Sequence, residues 1–92
     1  MAGETVLVVD DRDDSLKFLK EYVLQPNNYK TTEARNGVQA LQVIQTQPVD
    51  LIISDLVMPQ MGGLELLESL REKGLETPAI LMTFQWTPKA LS

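Results

Sequence analysis

The 92-residue sequence contains neither cysteine nor histidine. No disulfide framework and no thiolate metal site can therefore exist, which fits a reducing compartment. Basic residues are also scarce, 8 against 13 acidic ones, for a net charge of -5. That balance argues against binding a phosphate backbone, which needs clustered Lys and Arg, so no nucleic-acid partner is expected. No apolar run approaches the length of a membrane span, and Met1-Ala2-Gly3-Glu4 lacks the basic start of a signal peptide. The expected location is cytoplasmic. What remains, 43% hydrophobic and 23% charged residues, is the composition of a globular domain near the lower size limit for a self-sufficient core.

Two stretches are continuously apolar and end on acids. Thr5-Val6-Leu7-Val8-Val9 runs into Asp10-Asp11, and Leu51-Ile52-Ile53 runs through Ser54 into Asp55. Unbroken apolar strands of this kind are buried on both faces, as in a parallel sheet. Tyr29-Lys30-Thr31-Thr32-Glu33 is more polar and suits a sheet edge, and Pro78-Ala79-Ile80-Leu81-Met82 reads as a fourth, short apolar strand before Thr83. Between them lie three helical patterns. Leu16, Leu19 and Val23 mark the first, with Phe18 and Tyr22 alongside and Asp13, Asp14 or Ser15 as the cap. Asn36 with Gln39 forms a capping-box pattern opening the second, through Ala40, Leu41 and Ile44. Leu64, Leu67 and Leu70 mark the third, with Glu65, Glu68 and Glu72 outward and Gly74 closing it.

Strands alternating with helices predict a doubly wound parallel sheet, in one domain without internal repeats. All its strands end at one edge, so Asp10, Asp11, Asp55 and Thr83 should gather there. Three carboxylates at about 4 Å repel by roughly 4 kcal/mol per pair at an effective dielectric of 20. Either their pKa values rise or a cation sits among them, and with oxygen ligands alone the match is a hard ion, Mg²⁺ above all. Each Asp taken singly is an ordinary cap, turn residue or solvated charge. The joint pattern is what carries chemistry.

At these residues the sequence resembles the receiver domain of two-component response regulators. The resemblance rests on Val8-Val9-Asp10-Asp11, on Asp55-Leu56-Val57-Met58-Pro59-Gln60-Met61 with Gly63, and on Leu81-Met82-Thr83, and covers residues 5–83. It implies a flavodoxin-like fold with its site at the switch point between the first and third strands. It also implies that Asp55 is the phosphoacceptor. Asp10 and Asp11, with Asp55 and the backbone carbonyl of Val57, would hold Mg²⁺, and Thr83 would be the switch hydroxyl on the phosphoryl group. The implied partner is a sensor histidine kinase or phosphotransfer protein, and the implied role is signalling rather than enzymatic.

The sequence departs from that family after Thr83. Strand order 2-1-3-4 is expected, without the family's fifth strand and fifth helix, so that residues 1–92 form a single shortened receiver with an atypical tail over 84–92. The phosphate-contacting lysine has no counterpart: Lys89 stands in Thr87-Pro88-Lys89, reversed relative to the family's Lys-Pro, and reads as a solvated charge. Phe84 replaces a small residue and would crowd the phosphate pocket. Impaired phosphorylation is expected in consequence, together with self-association through the edge of the fourth strand or through the first helix. Phe84 and Trp86 would either dock a partner or, the favoured reading, fold back over exposed apolar surface. Two other readings compete. One is an interaction or dimerisation module that never uses phosphorylation. The other is a haloacid-dehalogenase-like phosphatase fragment, suggested by Asp11-Arg12-Asp13.

Overall fold

The computed structural model describes residues 3–82. Among these, β1 (Thr5–Val9), β2 (Lys30–Ala34), β3 (Leu51–Asp55) and β4 (Ala79–Met82) form one sheet in the order β2-β1-β3-β4, every pairing parallel. The two central strands are the continuously apolar ones, and Val6, Leu7, Val8, Val9 and Ile52 have essentially no exposed surface. β2 takes the outer position its polar residues suit. This is the flavodoxin-like order 2-1-3-4 that the sequence predicts.

Alternation along the central strands builds a core on each face. Leu7, Val9 and Ile52 face one way and pack with Ala40 of α2 (Gly37–Thr46) and Leu66 and Leu70 of α3 (Gly63–Glu72). Val6, Val8 and Ile53 face the other way and pack with Leu16, Leu19 and Leu24 of the first helix. Helices thus cover both faces, which is why these strands need no polar side.

The first helix departs from its predicted phase. It is α-helical over α1 (Asp13–Phe18), widens into a π-helical segment over Leu19–Leu24, and closes with a 3-10 turn over Gln25–Asn27. A wider turn holds more residues, so the inward position moves one residue along. Leu24 is accordingly buried (4% exposed) where the 3.6-residue period placed Val23, which is 37% exposed. Pro26 supplies a reason for the α-helix not to continue, since it lacks an N–H and crowds the carbonyl four residues before it. Phe18 and Tyr22 lie on the exposed side and stack with ring centroids 5.9 Å apart. The cap is also different. Arg12 occupies that position without a side-chain bond, Asp13 and Asp14 fall in the first turn, and Ser15 is buried.

α2 opens as predicted: the Asn36 side chain accepts the Gln39 N–H at 2.9 Å. The Gln39 side-chain Oε1 reaches back to accept the N–H of Arg35, also at 2.9 Å, rather than that of Asn36. α3 faces the sheet through Gly63, Leu66 and Leu70, while Leu64 is exposed and Leu67 half-buried. The predicted triplet of Leu64, Leu67 and Leu70 is therefore corrected. The cause is Gly63, where an added Cβ would stand 2.5 Å from the Asp55 carbonyl oxygen. Only glycine lets the helix start that close to β3, and the residues sharing its face follow it inward. Glu65, Glu68 and Glu72 point outward as expected. The helix closes beyond Glu72, where the Gly74 and Leu75 N–H groups donate to Arg71 and Leu70 at 3.0 Å.

The π-helical phase shift has a direct check. Urea unfolding of Leu24→Ala should show a loss of about 2–5 kcal/mol, as for a buried leucine. Val23→Ala should stay within roughly 0.5 kcal/mol of wild type, as for a surface change.

Candidate functional site

β1 and β3 are hydrogen-bonded neighbours with Val9 opposite Ser54. The residue after β1 and the last residue of β3 are thereby delivered side by side to the carboxyl edge of the sheet. Asp10 and Asp55 are each 1% exposed there, and Asp11 stands exposed beside them. One carboxylate oxygen from each of the three lies within 4.8 Å of the others. The predicted convergence of Asp10, Asp11 and Asp55 is thus present. Thr83, Phe84, Trp86 and Lys89 lie outside the described residues.

Each buried carboxylate is half satisfied. The Asp10 backbone N–H donates to the Ala34 carbonyl at 3.1 Å, tying the residue to β2. Its Oδ1 accepts the Arg12 backbone N–H at 3.0 Å. Asp55 Oδ1 accepts the Val57 backbone N–H at 3.2 Å. The remaining oxygens, Asp10 Oδ2 and Asp55 Oδ2, are buried with no hydrogen-bond partner from the protein. Buried polar atoms are rarely left so, and an ionised one is costlier still.

Burial pushes the Asp10 carboxyl above its ordinary range. The charges of Asp55 and Asp11 push the same way, and the Arg12 N–H and the Ser15 hydroxyl pull against them. The nearest guanidinium groups are engaged elsewhere. Arg12 pairs with Asp14 at 3.0 Å, and Arg35 pairs with Asp13. Both are exposed pairs of small energetic weight. Asp13 is therefore turned to Arg35 from the first turn of α1 and is not one of the clustered acids, which weakens the D-x-D phosphatase pattern.

Some of this machinery was not legible in the sequence. The backbone N–H groups of Arg12 and Val57 steady the two acids, and no side-chain pattern announces them. Ser15 was a cap candidate and instead lies beside Asp10. Its place five residues after Asp10, at the start of a helix, was the available signal.

A profile of the response regulator receiver domain matches residues 6–91. Over 83 residues the chain is 32% identical to sporulation initiation phosphotransferase F of Bacillus subtilis, covering 90% of this chain and 66% of that protein. It is also 32% identical over 87 residues to a probable cyclic di-GMP phosphodiesterase of Vibrio cholerae, covering 92% of this chain but only 19% of that one. Among solved structures it is similar to the chemotaxis response regulator CheY4 of Vibrio cholerae, with a TM-score of 0.79 at 32% identity over 97% of this chain and 75% of that one. The chain thus spans between a fifth and two thirds of the length of these curated relatives. With an acid-lined edge on a 2-1-3-4 parallel sheet, it belongs to the response regulator receiver domains of two-component systems.

The pocket should cost the fold stability in metal-free buffer. Asp10 has a folded pKa above its unfolded value of 3.8. Its penalty is absent below that value, grows as pH rises towards the folded pKa, and is complete above it. Asp10→Asn keeps an acceptor for Arg12, replaces the unpartnered Asp10 Oδ2 by an NH2 group and offers a donor to Asp55 Oδ2. It should stabilise the domain at neutral pH by about 1–3 kcal/mol, each kcal/mol moving Tm by roughly 4–8 °C. The gap between variant and wild type should narrow as pH falls towards the ordinary carboxylate range, read by thermal melts across pH.

Proposed function

We propose that this receiver domain accepts a phosphoryl group on Asp55 from a phosphohistidine of a sensor histidine kinase or phosphotransfer protein. The observation that carries the reading is the pair of buried, unpartnered oxygens on Asp10 and Asp55, within reach of Asp11. In the transfer, an Asp55 carboxylate oxygen forms the new O–P bond and the N–P bond of the donor breaks. The electron pair goes to the imidazole nitrogen, which takes up a proton. The Val57 N–H on Asp55 Oδ1 orients the nucleophile, and the Arg12 N–H does the same for Asp10.

The donor set fits Mg²⁺, since it is made of carboxylate oxygens with two lacking a partner. Asp10, Asp11, Asp55 and the Val57 carbonyl would hold the ion. When bound, it offsets the charge of the pocket and of the incoming phosphoryl group. Thr83 is assigned the switch hydroxyl by its place after β4. Among the described residues, Arg12 and Arg35 are occupied by Asp14 and Asp13. A phosphoryl group brings up to about two negative charges to an acidic site, so we expect slow, substoichiometric modification. We read the module as non-enzymatic, cytoplasmic and without nucleic-acid contacts. Among the described residues no helix is long and apolar enough to cross a membrane.

A Phos-tag gel after treatment with acetyl phosphate and Mg²⁺ should show a minor shifted band that disappears in Asp55→Ala. A band that survives Asp55→Ala overturns the acceptor assignment, and a stoichiometric one overturns the impairment. Complete absence of a band favours the second reading, an interaction module independent of phosphorylation.

That second reading has support in the outer surface of the sheet. β4 is the last strand of the described sheet and Ile80 on it is 48% exposed, while Phe18 and Tyr22 stand exposed on the first helix. Self-association through one of these surfaces is expected to appear in light scattering as mass rising with concentration. Ile80→Lys should abolish it if the β4 edge is used, and Tyr22→Glu if the helix is used.

A further inference from the structure

The loop between β3 and α3, residues 56–62, carries Val57 and is pinned at two places. At its base the Leu56 N–H donates to Met82 at 2.8 Å, and the Leu56 carbonyl accepts the Gly63 N–H at 3.2 Å. At its far end Gln60 adopts a positive φ of 70°, and the Met61 carbonyl accepts the Gly37 N–H at 3.0 Å. That N–H belongs to the first turn of α2, where no intrahelical acceptor exists. Above it the Met61 side chain lies very close. A Cβ on Gly37 would stand 2.5 Å from Met61 Cγ, 2.7 Å from Sδ and 2.8 Å from Cβ. Met61 also packs against the core that includes Leu7 and Ile52.

Val57 lies between these two pins. Its side chain is exposed, so burial does not hold it in place. Yet its backbone N–H must reach Asp55 Oδ1, a bond already long at 3.2 Å. The geometry points to the Gly37–Met61 contact as a positioning device: Met61, seated on the bare backbone of Gly37, sets the loop so that the Val57 peptide faces Asp55. Met61 is thus a positioning residue acting through Val57, and the absence of a side chain at Gly37 is what makes room for it. The consequence for Mg²⁺ rests on the phosphoacceptor reading; the placement of the Val57 amide does not.

Two-dimensional amide NMR on the full chain separates these levels. Gly37→Ala drives a methyl into the seat, and Met61→Ala removes the side chain that fills it. Each should shift the Val57 amide resonance and speed its hydrogen exchange. Each should also weaken Mg²⁺ binding, titrated on the same spectra, by about tenfold, the scale on which groups behind a metal's direct ligands act. Met61→Leu, which keeps the volume, should stay near wild type in both readouts, and so should Val38→Ala, an exposed neighbour on the same helical turn. Should Gly37→Ala fail to fold, Met61→Ala decides alone. A Val57 amide unmoved in folded Met61→Ala overturns the proposal. If wild type shows no Mg²⁺ response, the metal reading fails, and the Val57 amide still decides the seat.

Discussion

Two carboxylates buried side by side are the constraint to which the rest of this structure answers. Asp10 and Asp55 are neighbours because β1 and β3 pair in parallel, with Val9 opposite Ser54. Parallel pairing in turn requires crossover helices on the faces, and those helices demand strands apolar on both sides. The sheet is therefore hydrophobic through its centre and charged at one edge. The large cores on its two faces supply the stability against which a like-charged pocket can be held.

The site is built more from backbone than from side chains. Peptide N–H groups of Arg12 and Val57 each satisfy one oxygen of an acid, leaving the second oxygen of each to whatever enters the pocket. Placing peptides this accurately falls to two close approaches. Gly63 lets α3 begin against the carbonyl of Asp55, and Gly37 lets Met61 lie over the start of α2. Arg12 and Arg35 are kept on the rim by Asp14 and Asp13, so the pocket itself stays acidic.

The strands, their order and the meeting of Asp10, Asp11 and Asp55 were legible in the sequence. Unbroken β-branched runs have one stable setting, the middle of a parallel sheet, and their ends then share an edge. Helix faces were less legible. Val23 lost its place to Leu24 because the helix widens before Pro26, and a period of 3.6 cannot foresee a π-helical segment. Leu64 gave way to Leu66 because Gly63, not a leucine, fixes which side of α3 touches the sheet. The side-chain caps assigned to Asp13 and Asp14 failed for a similar reason. The chain enters α1 at Arg12, ahead of Asp13, Asp14 and Ser15, with the Arg12 N–H held by Asp10.

The parallel register of β1 and β3 also has a kinetic consequence. Asp10 and Asp55 are far apart along the chain and approach only when non-local strands have paired, a slow step in folds of this topology. Their repulsion is absent from early, locally structured states and enters when β1 and β3 pair. Conditions that relieve it should therefore hasten formation of the folded molecule more than they lengthen its lifetime.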